Sequence, residues 1–188
     1  MSLWELRVTE FLEQLGAGSA NPAAGTAAAL TGACGAALAV MTANLTVGRM
    51  RFQAVAAEAE QLRDQARSEL LRLSQLGEED AALFSDPDRV SMSAATRVPL
   101  DIAAAAVRVA EAAHRLGEIG NPVAKGDARV GMLLSLAAAE GALAVVEVNL
   151  AFVPEGDFRL EALARHGKLR EEVVRLRDAT QGSSATHG

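Results

Sequence analysis

The chain has 188 residues, a length typical of one domain with a single hydrophobic core. Hydrophobic residues make up 50% of it but aromatic residues only 3%, so the core must be aliphatic and rich in alanine, which favours packed helices over a sheet. The net charge of −6 at pH 7 argues against nucleic acid as a partner, because affinity for nucleic acid comes mainly from neutralising its phosphates.

The amino-terminal residues predict a cytoplasmic protein and a short first helix. They contain neither the basic region nor the apolar core of a secretory signal. Ser2 followed by Glu5 fits a capping box, and apolar residues from Trp4 to Leu15 recur at helical spacing. This helix is expected to end near Gly16.

A long uncharged stretch follows, with no charged residue between Glu13 and Arg49. It consists mostly of Ala, Gly and Thr, and we interpret it as a buried central helix over about 22–48. Its small side chains would let neighbouring helices approach closely. Cys34, the only cysteine, is expected to be a buried thiol.

This stretch is longer than the roughly 20 residues that a helix needs to cross a bilayer. Ala, Gly and Thr are only weakly hydrophobic, however, and Asn44 stands near the end of the stretch. Such a helix packs better against protein than against lipid. We therefore predict no membrane contact, with a membrane span as the minor alternative.

Steps of three and four between apolar residues predict the remaining helices. They cover 52–76, 78–84 after an interruption at Gly77, 91–116 with a kink or boundary at Pro99, 128–150 with Asp127 as its cap, and 157–178. A turn or loop is expected at 85–88, and no strand is predicted.

These segments predict an all-α fold: one domain over 1–179, built as a bundle of about seven helices with a buried Ala/Gly-rich central helix, and a disordered tail at 180–188. The apolar helices 22–48 and 128–150 are expected inside, covered by the amphipathic ones. An amphipathic face can continue into a partner subunit, so a homodimer is expected.

The usual catalytic and cofactor motifs are absent from the sequence. There is no GxSxG motif, no phosphate-binding loop and no GxGxxG motif after a strand. His114, His166 and His187 stand far apart, which argues against a zinc site. We therefore expect neither a metal nor a cofactor.

Polar residues are concentrated instead at the two ends of the central helix. Gly25 and Thr26 lie at its start, where free backbone NH groups can bind an anion or simply form a helix cap. Asn44, Arg49 and Arg51 lie at its end. The two arginines can either compensate the helix carboxyl terminus or bind carboxylates through their planar guanidinium groups.

A third polar cluster lies in the loop between two apolar helices. It brings an amide, an ammonium and a carboxylate together within a few residues, as Asn121, Lys125 and Asp127. The loop is either a plain connection with a cap or a site held by a rigid scaffold.

These segments, taken together, resemble the cyclodeaminase/cyclohydrolase family. The glycine-rich run at 22–52 is followed in order by DAALF at 80–84, ATRVPL at 95–100, GNPVAKGD at 120–127 and VNL at 148–150. The family includes the cyclodeaminase part of formiminotransferase-cyclodeaminase and bacterial methenyltetrahydrofolate cyclohydrolases. The likeness extends over nearly the whole chain.

The resemblance implies a helical bundle, usually dimeric, that binds a tetrahydrofolate. Members of the family either expel ammonia from 5-formiminotetrahydrofolate or hydrate 5,10-methenyltetrahydrofolate, and neither reaction requires a metal or nucleotide. A tetrahydrofolate derivative is therefore the expected substrate, with no cofactor. Hydrolysis of the methenyl compound is the preferred assignment for a chain without a formiminotransferase part.

On the same resemblance, Asp127 and Asn121 are assigned to the pterin or to proton transfer, as the catalytic pair. The predicted substrate-binding residues are Gly25, Thr26, Asn44, Arg49, Arg51, Lys125 and Asn149, with the two arginines on the glutamate carboxylates of the folate.

The alternative is a helical dimer of the same family without catalysis, binding a folate-like ligand or a protein partner. It is favoured by two differences from the family pattern. Ala23 and Ala24 stand where family members commonly have glycines, and Phe52 stands where a tyrosine is usual.

Overall fold

A computed structural model of the chain describes residues 2–19, 21–84 and 90–182. Within these residues all regular structure is helical, so the all-α prediction is confirmed. The α-helices are α1 (Val8–Leu15), α2 (Ala24–Asn44), α3 (Ala56–Leu83), α4 (Met92–Ile119), α5 (Lys125–Leu150) and α6 (Asp157–Gly182). Three short 3-10 helices lie at Leu3–Glu5, Met50–Val55 and Pro122–Ala124. The described chain thus has six α-helices where about seven were predicted.

Helices α2 to α5 run alternately up and down. Gly32 of α2 faces both Leu73 of α3 and Ala138 of α5. The end of α5 meets the start of α4, where Asn149 Nδ2 donates a hydrogen bond to the carbonyl of Ala95 at 2.7 Å. Helix α6 packs on α4 and α5. The bundle therefore has two ends, one where α2 and α4 begin and one where they finish.

Helix α4 occupies the centre of the bundle. Ile102, Val109 and Leu116 along its length are at most 1% exposed. Helices α2 and α5 pack against it and against each other, and each exposes one stripe, so the prediction that these two apolar helices lie inside, covered by the amphipathic ones, is wrong. Cys34 is exposed as well, contrary to expectation. The reason is that an Ala/Gly-rich helix is apolar on every face, so its sequence does not mark which face is covered.

Both outward-facing helices meet the length and composition of a membrane span. These are the segments Ala24–Asn44 and Pro122–Leu150, each with half of its most apolar window buried inside the bundle. A core helix of a soluble protein passes the same test. Length and composition therefore do not decide what covers their exposed stripes.

Small residues bring α2 and α5 into close contact, as predicted. A Cβ atom on Gly35 would lie 2.2 Å from the hydroxyl of Ser135 and 2.7 Å from the carbonyl oxygen of Gly131. The second of these is a backbone atom, which can move only with its helix. Glycine at position 35 therefore sets the separation of the two helices.

We expect Gly35→Ala to lower the free energy of unfolding by about 1–3 kcal/mol, because the added methyl group overpacks the α2–α5 contact. The matched control is Gly167→Ala in α6, where a Cβ atom would meet nothing within 4 Å. That change should raise stability by up to about 1 kcal/mol through helix propensity. Urea unfolding of both variants tests this, and equal stabilities would contradict it.

Two predicted interruptions lie inside continuous helices. Helix α3 passes through Gly77, which is buried beside Ala29 and Trp4. Helix α4 passes through Pro99, which is buried and is not a boundary. Both residues therefore lie on a buried side of a continuous helix, which contacts with neighbouring elements stabilise.

Several predicted boundaries also shift. The central helix ends at Asn44 and is followed by a turn with Gly48 at φ +76°. Asp127 lies in the first turn of α5 and does not cap it. Helix α6 continues to Gly182, so the predicted disordered tail is wrong for 180–182, while 183–188 and the predicted loop at 85–88 lie outside the described residues.

Candidate active site

The predicted site residues lie at opposite ends of the bundle, separated by the length of α2, which is about 32 Å for its 21 residues. We call the end where α2 begins the Asp80 end, and the end where it finishes the Arg49 end. Gly25, Thr26 and Asn149 lie at the Asp80 end, and Asn44, Arg49, Arg51, Asn121, Lys125 and Asp127 at the Arg49 end. One chain therefore does not gather them into a single slot.

A buried carboxyl group marks the Asp80 end. Asp80, near the end of α3, is only 2% exposed. Its Oδ2 accepts a hydrogen bond from the hydroxyl of Thr26 at 2.8 Å, and the carboxyl also accepts one from the Thr26 backbone NH. Ala23, at the N-cap position of α2, has no side chain that could bond these NH groups. Asp80 thus supplies from α3 the acceptor that the start of α2 lacks.

Burial raises the pKa of the Asp80 carboxyl above its ordinary value of 3.8. The hydrogen bonds from Thr26 oppose this rise but are smaller contributions than the loss of solvent. A carboxyl group whose pKa is moved toward neutrality can both accept and release a proton near physiological pH. Asp80 thus combines burial, a raised pKa and a fixed hydrogen-bond partner in one acidic group.

Gly25 is required for this arrangement. A Cβ atom there would lie 2.2 Å from Oδ1 of Asp80 and 2.6 Å from its Cγ. Of the three positions from Ala23 to Gly25, the one in contact with the carboxyl group is a glycine. The alanine at position 24 is exposed and that at 23 is half-buried.

An apolar cavity of about 220 Å³ lies beside this pair. Its walls are Leu3, Trp4, Leu6, Val8, Phe11 and Leu12 from the amino-terminal segment and Thr26 and Leu30 from α2. The segment is fixed to α3 by two hydrogen bonds, from Trp4 Nε1 to the carbonyl of Ser74 at 2.9 Å and from the Leu3 NH to Glu78 Oε1 at 2.8 Å. Thr26 therefore connects the buried carboxyl group with a preformed apolar cavity.

At the Arg49 end, Asn121 links the α4–α5 loop to the end of α2. Its NH donates to Thr46 Oγ1 at 3.0 Å and its Nδ2 to the carbonyl of Leu45 at 3.2 Å. Its Oδ1 accepts from Arg51 Nη2 at 3.1 Å and from the Val123 NH at 3.2 Å. Asn121 is 5% exposed with both amide atoms engaged, an arrangement that positions Arg51 and the loop.

Three other predicted residues at this end present polar groups to the surface. Asn44, Arg49 and Lys125 are exposed and make no side-chain hydrogen bond or ion pair to another described residue. Asp127 is half-buried in the first turn of α5. These groups are available to a ligand, and the two cations suit a carboxylate.

Asn149 has a structural contact at the Asp80 end, because its amide ties α5 to the Ala95 carbonyl of α4. The described residues contain no group of three metal-type side chains. His114 and His166 each lie beside a glutamate, Glu118 at 3.6 Å and Glu147 at 3.3 Å. His187 lies outside the described residues.

Asp80 is a candidate functional residue that the sequence analysis did not assign. The sequence does hold a signal for it, since Asp80 follows Leu73 and Leu76 at helical spacing and so falls on the buried stripe of α3. An acidic side chain on the buried side of a helix costs folding free energy unless it is hydrogen-bonded, so it persists there for a structural or functional reason. The preceding Glu78 and Glu79 hide this signal, because three consecutive acidic residues are typical of a solvent-exposed segment.

Comparison with known proteins identifies relatives over most of the chain. The family model described as Formiminotransferase-cyclodeaminase matches residues 7–87 and 89–167. A methenyltetrahydrofolate cyclohydrolase of Methylorubrum extorquens is 29% identical, over 88% of this chain and 93% of its own. A formimidoyltransferase-cyclodeaminase of Sus scrofa is 28% identical over 92% of this chain, which spans only 36% of that longer protein.

The fold is also that of a solved structure, a formiminotetrahydrofolate cyclodeaminase from Thermotoga maritima. The two superpose with a TM-score of 0.87 over 93% of each chain, at 22% sequence identity. At that identity the likeness concerns the arrangement of helices and not individual side chains.

Proposed function

Because the chain belongs to the formiminotransferase-cyclodeaminase family, we propose that it is a tetrahydrofolate one-carbon enzyme that hydrolyses 5,10-methenyltetrahydrofolate. The observation that carries the proposal is the buried Asp80 carboxyl beside Thr26 and an apolar cavity. Hydrolysis is preferred to deamination because the cyclohydrolase relative, aligned over 93% of its length, is 29% identical, whereas the cyclodeaminase of similar length is 22% identical.

Asp80 suits the proton transfers of this reaction. Water adds to the cationic methenyl carbon and loses one proton, and the bond from that carbon to N5 then breaks to leave the 10-formyl compound. The carboxylate can take the first proton from the attacking water and deliver it to N5 as the bond from carbon to N5 breaks. It can then take the remaining hydroxyl proton as the formyl carbonyl forms and release it to solvent, so that the reaction yields one proton overall. As an anion in an apolar setting, the carboxylate also stabilises the positive charge of the methenyl group.

The substrate has parts that match the surroundings of Asp80. The apolar cavity suits a flat ring, since ligand pockets are mostly apolar with a few polar groups that fix orientation. Cations such as Arg49 and Lys125 suit the glutamate carboxylates, but in one chain they lie at the opposite end of the bundle from Asp80. The proposed enzyme acts as a homodimer in the cytoplasm and uses no resident metal or nucleotide.

The proposal is tested by following the absorbance of 5,10-methenyltetrahydrofolate with purified protein, against buffer and heat-unfolded protein as controls. We expect a loss of absorbance well above the spontaneous rate. Release of ammonia from 5-formiminotetrahydrofolate, measured in parallel, would assign the deaminase reaction instead. Binding seen as a rise in melting temperature with 5-formyltetrahydrofolate, but without turnover of either substrate, would replace the enzyme by the non-catalytic dimer.

A further inference from the structure

Two of the few aromatic side chains of this protein lie at one cavity. The chain has one tryptophan, five phenylalanines and no tyrosine. Trp4 and Phe11 both line the apolar cavity beside Thr26, and both come from the amino-terminal segment, which we define as residues 2–15. The buried core of the bundle consists of aliphatic residues, so its packing does not depend on these rings. Aromatic rings at a cavity suit a flat ligand, because they stack on it with an offset.

Trp4 is held in place without being buried. Its Nε1 donates a hydrogen bond to the carbonyl of Ser74 at 2.9 Å. Its ring lies against Gly77, where a Cβ atom would be 3.4 Å from Cζ2 of the indole. The residue nevertheless remains 37% exposed, whereas Phe11 is 6% exposed and anchors the segment. A large ring that is already fixed in orientation loses little conformational entropy when it binds a ligand.

Helix α3 fixes the distance between Trp4 and the buried carboxyl group. The indole lies against Gly77, and Asp80 follows three residues later in the same helix. Three residues correspond to a rise of about 4.5 Å along the helix axis. Thr26, which is hydrogen-bonded to Asp80, forms part of the cavity wall. A ring that packs on Trp4 is therefore within about one helical turn of the proposed proton-transfer group.

The cavity offers a cation two kinds of attraction, from the face of the indole and from the nearby Asp80 carboxylate. Its lining, within the described residues, consists of apolar side chains and one hydroxyl group. In such a setting a tryptophan ring attracts a cation more strongly than other aromatic side chains do, through its quadrupole. The methenyl ring of the proposed substrate carries a positive charge, which is lost when water adds. An indole at this position therefore favours the substrate over a folate whose ring is uncharged.

We infer that Trp4 selects the cationic ring of 5,10-methenyltetrahydrofolate, by packing its indole on that ring and so placing the methenyl carbon beside Thr26 and Asp80. The inference rests on the proposed function for the identity of the ligand. The cavity of about 220 Å³ is smaller than the roughly 300–1,000 Å³ of pockets that enclose a whole ligand. It therefore takes up the ring system, and the rest of the folate lies outside it.

Fluorine NMR tests the contact without any turnover. Because Trp4 is the only tryptophan, 5-fluorotryptophan supplied during expression labels this position alone. Saturating 5-formyltetrahydrofolate should shift the single fluorine resonance. A shift in a protein that turns over neither substrate would remove the proposed hydrolase and keep Trp4 in the ligand site. A resonance that stays in place while the same ligand raises the melting temperature would overturn the inference alone. With neither turnover nor a rise in melting temperature, the proposed function and the inference fall together.

Successive fluorination of Trp4 tests the charge selection while leaving the fold and the hydrogen-bonding NH in place. Each fluorine withdraws electron density from the ring face and weakens its attraction for a cation. From unlabelled to tetrafluorinated protein, KM for 5,10-methenyltetrahydrofolate should rise stepwise by about 2- to 30-fold in total. The value of kcat should not fall, because the positive charge is lost as water adds. The inhibition constant of 5-formyltetrahydrofolate, whose ring is uncharged, should stay nearly constant. An unchanged KM, or equal changes for both ligands, would overturn the selection.

Two variants separate contact with the ligand from attachment of the segment. Glu78 Oε1 accepts hydrogen bonds from the Leu3 NH at 2.8 Å and from the Ser2 hydroxyl, so Glu78→Ala loosens the segment and leaves the indole. Trp4→Leu should raise KM for the methenyl compound more than the inhibition constant of the formyl compound. Glu78→Ala should change both constants by the same factor. If Trp4→Leu also changes both equally, Trp4 only attaches the segment and the inference is overturned.

Discussion

Asp80→Asn is expected to lower kcat for methenyltetrahydrofolate hydrolysis by about 10²- to 10⁴-fold, the usual contribution of a positioned acid or base. An amide has the shape of the carboxyl group but takes up and releases no proton near neutral pH. The hydrogen bond to Thr26 can survive, since the threonine hydroxyl donates to Oδ2 in the wild type and can rotate to match an amide. The loss should therefore appear in kcat much more than in KM.

The same variant should be more stable than the wild type at neutral pH. The folded-state pKa of Asp80 is raised, so the folded protein binds its proton more tightly than the unfolded chain does. Wild-type stability then falls as pH rises from the unfolded pKa, near 3.8, through the raised folded pKa. Asp80→Asn escapes this loss and should gain up to about 2 kcal/mol at pH 7, a gain that disappears below the unfolded pKa.

The matched control is Glu79→Gln, which removes an adjacent acid that is exposed and paired with Arg72 at 3.3 Å. It should keep wild-type kcat and change stability by less than about 1 kcal/mol. A fall in kcat of similar size for both variants would mean that general charge, and not the Asp80 carboxyl, supports the reaction. Unchanged kcat in Asp80→Asn would remove Asp80 from the chemistry.

The helices could be predicted from the sequence because their apolar spacing is regular. The amphipathic pattern that begins near Phe52 appears, although α3 itself starts only at Ala56. The capping box of Ser2 also forms, but it begins the 3-10 helix Leu3–Glu5, and the first α-helix starts at Val8. The exposed side of α2 could not be predicted, since a helix of alanine and glycine has no apolar contrast between its faces. The same uniformity explains why Cys34 was expected to be buried.

The candidate site was harder to predict than the fold, for two physical reasons. Residues such as Thr26 and Arg49 lie near opposite ends of one helix, about 32 Å apart. Their polar character alone makes them look like parts of the same site. Asp80 gains its altered pKa only from burial by other elements, which no local pattern records.

The glycine at position 25 ties the fold to the chemistry, and its replacement has the second large effect that we expect. Gly25→Ala places a methyl group 2.2 Å from Oδ1 of Asp80, so the carboxyl group must shift and its bond to Thr26 must lengthen or break. We expect a loss of about 1–3 kcal/mol in stability from overpacking. Turnover should fall as well, because the displaced carboxyl loses its position against Thr26, the residue that lines the cavity.

A double-mutant cycle separates this contact from a general effect of the substitution. If the damage comes from the clash with Asp80, Gly25→Ala should cost little in an Asp80→Ala background, where the carboxyl group is gone. The coupling free energy between the two positions should then be about 1–3 kcal/mol, measured by urea unfolding. Additive losses would show that Gly25 acts through the start of α2 alone. A coupling free energy of that size would instead establish that the glycine at position 25 leaves the space through which the buried Asp80 carboxyl reaches the start of α2.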